Sequence, residues 1–198
     1  FTSDLYEEFD FYAKEIGLHS KINDLFDGEK VNFTESIAAW HPKYRAEYNP
    51  NESDTPSNKG QHSELLNFYD LCNEAINIVI IGIGGSFEGP KMLLENIELN
   101  HADNNFIFIT GSDLSEFRMK TNKLRPEDTI FLVLSKSFET LETISLLEEA
   151  ISWSGDINKF VAITANKEEA KKFNIKCILE FDDQIGGRYS IWSEISVL

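Results

Sequence analysis

Residues 78–86 read Ile78-Val79-Ile80-Ile81-Gly82-Ile83-Gly84-Gly85-Ser86, a branched apolar run that passes directly into a glycine-rich turn. A short apolar run of this kind is typical of a strand buried on both faces of a sheet. Glycines allow the backbone of the turn to approach a ligand, because no Cβ intervenes. The pattern of Glu88 to Ile97 predicts a helix, whose unpaired N–H groups and positive dipole end would point at the turn. The turn, with the hydroxyl of Ser86 beside it, is therefore predicted to bind an anion.

The turn lacks the marks of a nucleotide-binding loop. Phe87 occupies the position of the last glycine in the G-x-G-x-x-G pattern of dinucleotide-binding domains, and the G-K-[ST] of a P-loop is missing. We therefore expect a phosphate that is not part of a nucleotide, and a nucleotide-binding regulator is disfavoured.

Composition and charge restrict the class of protein. With 198 residues, 41% of them apolar, the chain can build one domain with a proper core. A formal net charge of -16 argues against nucleic acid and anionic membranes as partners, because both are bound through clusters of Lys and Arg. The longest apolar runs are of strand length, well short of the ~20 residues that a membrane span needs.

Cysteines and histidines give no sign of a metal or disulfide framework. Cys72 and Cys177 are predicted to be reduced, buried thiols, which suits a cytoplasmic protein. His19, His62 and His101 lack H-E-x-x-H or another ligand spacing, so no metal site is expected. The sequence predicts no cofactor.

The chain is predicted to have two parts that pack as one globular unit. Residues 1–75 form an amino-terminal helical extension, with helices expected at Asp4–Ile16 and Ser63–Ile76. The polar stretch Tyr48–Gly60 between them, rich in Pro, Asn and Asp, is expected to be an exposed and mobile loop. Residues 76–198 change to an alternation of strand and helix patterns and form the second part.

Strands and helices alternate regularly through the second part. The predicted strands are Asn77–Ile83, Asn105–Thr110, Thr129–Leu134, Lys159–Thr164 and Cys177–Phe181. The predicted helices are Glu88–Ile97, Leu114–Asn122, Phe138–Trp153 and Glu168–Phe173. The alternation predicts an α/β fold, a three-layer αβα sandwich around a five-stranded, parallel, doubly wound sheet with the flavodoxin-like strand order 2-1-3-4-5. In that order the first and third strands are neighbours, and ligands bind beyond their carboxyl ends.

The turn after the third strand is the second candidate anion site. It reads Ser135-Lys136-Ser137-Phe138-Glu139-Thr140 and precedes a strong helical pattern. Hydroxyls at Ser135, Ser137 and Thr140 can donate to a phosphate together with the free N–H groups of a helix start. Ordinary helix capping is the alternative, because Ser and Thr favour such positions in any case. The glycine turn that the strand order puts next to it favours a phosphate clamp.

A third motif, Ile185-Gly186-Gly187-Arg188-Tyr189-Ser190, follows the last predicted strand and is expected to open a final helix. The paired glycines again permit a close approach of the backbone. Arg188 is a permanent cation with a fork of donors, which suits the stabilisation of an oxyanion or a developing enolate. A surface ion pair is the alternative for any single arginine.

Together these motifs resemble the signature blocks of the glucose-6-phosphate isomerase family, in the same order along the chain. The matching blocks are Gly82-Ile83-Gly84-Gly85-Ser86 with Gly89-Pro90, Ser135-Lys136-Ser137-Phe138 with Glu142-Thr143, and Gly186-Gly187-Arg188-Tyr189-Ser190-Ile191-Trp192-Ser193. The stretch Val31-Asn32-Phe33-Thr34-Glu35, which leads to Trp40-His41, is similar to the amino-terminal N-x-T-E segment of that family. The glycine-serine turn alone would indicate the wider group of sugar-isomerase (SIS) phosphosugar-binding domains.

The resemblance implies an aldose-ketose isomerase that needs neither metal nor cofactor, whose partners are glucose 6-phosphate and fructose 6-phosphate, and which is a homodimer at full length. The implied substrate-binding residues are Gly85, Ser86, Ser135, Lys136, Ser137, Thr140 and Gly187. Arg188 is the implied catalytic residue, because the arginine of the family stabilises the cis-enediolate formed as a glutamate moves a proton between two sugar carbons. Glu139 departs from the usual pattern of the phosphate loop, and we expect its side chain to point outward because a carboxylate would repel the phosphate.

The catalytic glutamate, ring-opening histidine and late lysine of the family find no match in this chain, since all follow the Gly-Gly-Arg block. The chain starts at Phe1 rather than Met, and it ends in the apolar run Ile195–Leu198, which has no cap. We therefore expect an amino-terminal fragment, inactive by itself. The alternative is a free-standing SIS-type module that senses or stores a sugar phosphate without catalysis.

Overall fold

The computed structural model describes residues 3–39, 62–96, 104–193 and 195. The predicted loop Tyr48–Gly60 lies outside the described residues, as do Trp40, His41 and His101. No helix in the described part of the chain has the length and apolar character that a bilayer crossing requires.

The centre of the fold is a five-stranded sheet in the order β2-β1-β3-β4-β5, in which every neighbouring pair is parallel. The strands are β1 (Asn77–Gly82), β2 (Asn105–Ile109), β3 (Thr129–Leu134), β4 (Phe160–Thr164) and β5 (Cys177–Glu180). The predicted α/β fold and the predicted strand order are confirmed. Gly82 of β1 pairs with Leu134 of β3, so the turns after these strands leave the sheet at the same level.

Seven α-helices lie in the described ranges. They are α1 (Ser3–Glu15), α2 (Leu18–Phe26), α3 (His62–Glu74), α4 (Gly85–Asn96), α5 (Leu114–Thr121), α6 (Leu141–Ser154) and α7 (Lys167–Lys171). Short 3₁₀ helices cover Pro126–Asp128, Ile157–Lys159 and Gly187–Trp192.

Helices cover both faces of the sheet, because the side chains of each strand alternate between two cores. Val79 and Phe131 share one core with Phe117 of α5 and Leu147 of α6. Ile80 and Leu132 share the other core with Phe68 of α3 and Leu94 of α4. The predicted three-layer arrangement is therefore confirmed, and α3, from the predicted amino-terminal part, shares one of its helical layers with α4. The boundary at residue 75 stays a prediction.

Several helix limits differ from the sequence prediction. Helix α2 was not predicted; Gly17, with φ 63°, separates it from α1. Helix α6 begins at Leu141 rather than at Phe138, because Phe138 has a φ of 54° and cannot continue a right-handed helix. Helix α4 begins at Gly85, three residues earlier than expected. The predicted final helix is a 3₁₀ helix.

The two cysteines are free thiols at the contact between α3 and β5. Cys177 is buried and Cys72 is half-buried. Burial raises the pKa of the Cys72 thiol to about 12 and that of the Cys177 thiol to about 11, because the charged thiolate is poorly solvated there. Both thiols are neutral at physiological pH and make poor nucleophiles.

The two thiols are expected to make the free energy of unfolding decrease at alkaline pH. A folded-state pKa raised above the ordinary 9.0 favours the folded protein in full below pH 9.0, and this contribution is lost as the pH rises through about 11 for Cys177 and about 12 for Cys72. Urea unfolding at about pH 8 and about pH 11 measures the effect, with a variant carrying alanine at both positions as the control. The native chain should lose more stability than the control, and equal losses would show that the thiols are not buried as described.

Candidate functional site

A cleft of about 520 Å³ opens at the carboxyl ends of β1 and β3, where the strand order reverses. This volume is in the range of small-molecule sites. The structure brings all seven predicted substrate-binding residues to the lining of this one cleft: Gly85, Ser86, Ser135, Lys136, Ser137, Thr140 and Gly187. The two turns that the sequence singled out therefore face the same space.

The turn after β1 differs in one respect from the expectation. The N–H of Ser86 donates to the carbonyl of Ile83 at 3.3 Å, and the N–H of Glu88 donates to the carbonyl of Gly84 at 2.8 Å. These amides of the first turn of α4 already have acceptors within the turn. What the turn offers to an anion is the half-buried Ser86, whose hydroxyl is a donor, together with the positive end of the α4 dipole.

The turn after β3 is held in shape by its own hydroxyls. The Oγ of Ser135 accepts a hydrogen bond from the N–H of Phe138 at 3.1 Å and lies 3.5 Å from the Oγ1 of Thr140. Phe138 is buried in spite of its positive φ, and its ring contacts Phe173. Either hydroxyl can be the donor in the contact between Ser135 and Thr140, and whichever of the two accepts there keeps its own proton for a ligand.

The start of α6 distinguishes between the two interpretations of this turn. Thr140 is the N-cap residue of α6, but its side chain makes no capping hydrogen bond. The Oγ of Ser137 accepts from the N–H of Glu139 at 3.2 Å, outside the helix. Neither hydroxyl therefore satisfies the first N–H groups of α6, which have no acceptor within the helix. This arrangement favours the anion clamp over ordinary capping.

Lys136 brings a positive charge to the same turn. Its Nζ lies 3.7 Å from the Oε2 of Glu35, and both side chains are partly exposed. Its carbonyl oxygen accepts from the N–H of Ala165 and from the Oγ1 of Thr164, each at 3.1 Å, which ties the turn to the end of β4. Glu35 belongs to a tight turn closed by a bridge between Asn32 and Ile37. The N-x-T-E segment thus lies against the cleft.

The Gly-Gly-Arg segment meets the glycine turn at one point of close backbone approach. A Cβ built on Gly85 would overlap the carbonyl oxygen of Gly187 and would lie 2.6 Å from its carbonyl carbon. The Oγ of Ser190 donates to that same carbonyl at 2.7 Å. Arg188 lies in the 3₁₀ helix that follows, and its side chain is outside what the structure describes. The catalytic role predicted for Arg188 stays a prediction.

Glu139 is exposed and is not among the residues that line the cleft, which confirms the outward orientation expected for it.

Sequence reasoning missed two polar residues of the cleft, Asn166 and Asp183. They follow β4 and β5, respectively, at the same edge of the sheet as the two predicted turns. The rule that ligands bind beyond the carboxyl ends of parallel strands could have pointed to them. They were overlooked because neither belongs to a glycine or hydroxyl pattern.

Within the described ranges, no group of three or more His, Cys, Asp and Glu side chains is arranged to bind a metal ion.

A parallel sheet of this order, with helices on both faces and a cleft at the reversal point, defines a doubly wound α/β domain with a small-molecule site at the switch point. The model of the phosphoglucose isomerase family matches residues 1–198, and this chain belongs to that family. The family predicted from the sequence motifs is therefore confirmed.

Relatives and solved structures agree with this assignment. The chain is 35% identical, over 93% of its length, to the glucose-6-phosphate isomerase of Neurospora crassa. It is similar in fold to the crystal structure of a glucose-6-phosphate isomerase from Chlamydia trachomatis, with a TM-score of 0.80 at 23% identity, covering 99% of this chain and 42% of that one. The Vibrio vulnificus NanR protein, solved in complex with ManNAc-6P, has a related fold with a TM-score of 0.53 at 14% identity, covering 98% of this chain and 63% of that one. The chain spans 38% of the length of the Neurospora relative.

Proposed function

We propose that this chain is the amino-terminal, phosphosugar-binding part of a glucose-6-phosphate isomerase. The complete enzyme would interconvert glucose 6-phosphate and fructose 6-phosphate through a cis-enediolate. The observation that carries the proposal is the uncapped start of α6, which lies in one cleft with the hydroxyls of Ser135, Ser137 and Thr140. The family membership and the likeness to solved isomerases support it.

The cleft would bind the phosphate mainly through neutral donors. Hydroxyls and helix N–H groups donate to phosphate oxygens, and the dipole of α6 adds positive potential at the same point. Lys136 would support the turn and share its charge between Glu35 and the ligand. Such a local arrangement suits a chain whose formal net charge is -16, because its general field repels anions.

The sugar would lie across the glycine turn, with Gly85 and Ser86 on one side and Gly187 on the other. Arg188 would stabilise the negative oxygen of the enediolate. The transfer of a proton between two carbons also requires one carboxylate within hydrogen-bond reach of both. We propose that this base and the ring-opening groups lie in the part of the complete enzyme that corresponds to the region of the relatives not spanned by this chain. We also propose that the complete protein is a cytoplasmic homodimer.

A sugar-phosphate sensing or storage module without catalysis is the second candidate. The NanR protein solved with ManNAc-6P shares the fold of this chain at 14% identity, and that likeness concerns the fold alone. The two candidates differ in the parent gene: a continuation that encodes a glutamate, a histidine and a lysine block supports the isomerase, and a stop codon supports the module.

Binding and turnover measured on the 198-residue chain test the proposal. Titration of ¹⁵N-labelled protein with fructose 6-phosphate should shift the amides of the β1 and β3 turns, with a dissociation constant in the millimolar range or weaker. Fructose, which lacks the phosphate, is the control and should cause no shift. A coupled assay should detect no isomerisation. If fructose 6-phosphate does not bind, the two turns do not form a phosphate site. If the 198-residue chain isomerises the sugar at a robust rate, it must itself contain the catalytic base.

A further inference from the structure

The lining of the cleft contains a carboxylate, that of the exposed Asp183, besides the turn of residues 135–140 after β3, which we call the serine turn. The segment between the end of β5 and Gly187 returns across the carboxyl ends of the strands, because Gly187 meets Gly85 next to β1 while β5 lies at the far edge of the sheet. Asp183 lies on this crossing segment and lines the cleft together with Asn166. A ligand that fills the cleft from the serine turn would therefore meet a segment that carries a negative charge.

Asp183 is held in place by its neighbour Gln184. The Nε2 of Gln184 donates to the Oδ1 of Asp183 at 2.9 Å, and the N–H of Gln184 donates to the Oδ1 of Asp182 at 2.8 Å. The Oε1 of Gln184 accepts from the N–H of Ala38 at 3.3 Å, so the amino-terminal segment supports the same side chain. The hydrogen bond from Gln184 uses the Oδ1 of Asp183, and the side chain of Asp183 is exposed to the cleft that it lines.

The serine turn and Asp183 offer opposite chemistry to a ligand in the cleft. The serine turn presents donors and a positive dipole, which suit a phosphate dianion. An ionised carboxylate only accepts hydrogen bonds, so it can bind the hydroxyls of a sugar but repels a phosphate. A ligand with a phosphate at one end and hydroxyls at the other fits this cleft in a single direction.

We propose that Asp183 is a specificity-determining residue, which accepts hydrogen bonds from the sugar hydroxyls of a phosphosugar and disfavours a second phosphate at that end. The proposal rests on the proposed function, because the serine turn must bind the phosphate for Asp183 to meet the polyol. Asp183 is in this account a binding residue and not the base of the isomerisation.

The replacement Asp183→Asn in the 198-residue chain separates the contribution of Asp183 to sugar binding from that of the serine turn to phosphate binding. Asparagine keeps an oxygen to accept from Gln184, so the segment should retain its conformation. Binding of fructose 6-phosphate should weaken by about tenfold, since a hydrogen bond to a charged group is lost. Binding of inorganic phosphate should change less than about twofold, because it needs the serine turn alone. The preference for fructose 6-phosphate over fructose 1,6-bisphosphate should decrease.

Glu139→Gln is the matched control, because it removes a carboxylate charge near the serine turn but outside the cleft. It should leave the preference between the monophosphate and the bisphosphate unchanged. The role proposed for Asp183 is wrong if Asp183→Asn binds fructose 6-phosphate as tightly as the native chain does. It is also wrong if the affinity for inorganic phosphate falls as much as the affinity for fructose 6-phosphate. If the native chain binds neither fructose 6-phosphate nor inorganic phosphate, the proposed function fails and this inference fails with it.

Discussion

The replacement Gly85→Ala is expected to lower the free energy of unfolding by about 3 kcal/mol, because its Cβ has no space. The added carbon would overlap the carbonyl oxygen of Gly187 and would lie 3.2 Å from the Oγ of Ser190. The obstacle is backbone, so the start of α4 and the 3₁₀ helix Gly187–Trp192 would have to separate. That separation would also open one wall of the cleft and abolish sugar-phosphate binding.

Urea unfolding of Gly85→Ala and of Gly187→Ala measures this effect. Gly187 is the other partner of the contact, but a Cβ there would meet no atom within 4 Å. Its replacement should therefore cost less than about 1 kcal/mol. Equal unfolding midpoints for Gly85→Ala and the native chain would show that the two backbone segments do not approach as described.

The double replacement of Ser135 and Thr140 by alanine is expected to abolish the thermal stabilisation that a sugar phosphate gives. At a ligand concentration about ten times the dissociation constant, binding stabilises a protein by about 1.4 kcal/mol, which raises the unfolding midpoint of a chain of this size by roughly 3–5 °C. The double variant loses two of the donors that line the cleft and should shift by less than about 1 °C.

For each protein, the midpoint of thermal unfolding with ligand has to be compared with the midpoint of the same protein without ligand. The loss of the Ser135 hydroxyl leaves the buried N–H of Phe138 without its acceptor, which lowers the stability of the double variant by about 1–3 kcal/mol before any ligand is added. Ser154→Ala, at the opposite end of α6, is the hydroxyl control and should keep the full shift. A double variant that keeps the full shift would place the ligand away from the serine turn.

The sequence was sufficient to predict the sheet, because its determinants are local. Each strand is a short apolar run followed by a turn, and a common doubly wound order for five such strands is the one observed. The two turns of the cleft were predictable because their residue types are local signals. A glycine suits the φ of 59° that Gly84 adopts, and the hydroxyls of Ser135 and Thr140 follow directly after β3.

The features that the sequence could not reveal depend on distant contacts or on strained backbone. The ion pair between Lys136 and Glu35 joins residues that only the folded chain brings together. The positive φ of Phe138 gave no signal in the sequence, since phenylalanine rarely adopts it, and the predicted helix was therefore extended too far. Asp183 precedes the first glycine of the Gly-Gly-Arg motif by three residues, but the motif itself does not include it, and its place in the lining of the cleft follows from the path of the chain after β5.

A second cleft of about 770 Å³ runs along the edge strand β2 and is a competitor for an anion, since Lys91, Lys120 and Lys123 line it. Two of these lysines already have acidic neighbours: Lys120 donates to Glu116 at 2.6 Å, and Lys91 lies 3.4 Å from Glu95. This cleft also lies away from the reversal point of the strand order, so we expect it to bind phosphate less well.

A crystal structure of the chain with fructose 6-phosphate tests the central claim most directly. We predict that the phosphate lies between the two turns, within hydrogen-bond distance of the hydroxyls of Ser135, Ser137 and Thr140, with the sugar directed toward Gly187. A phosphate bound along β2, or anywhere else outside the cleft between β1 and β3, would contradict the account.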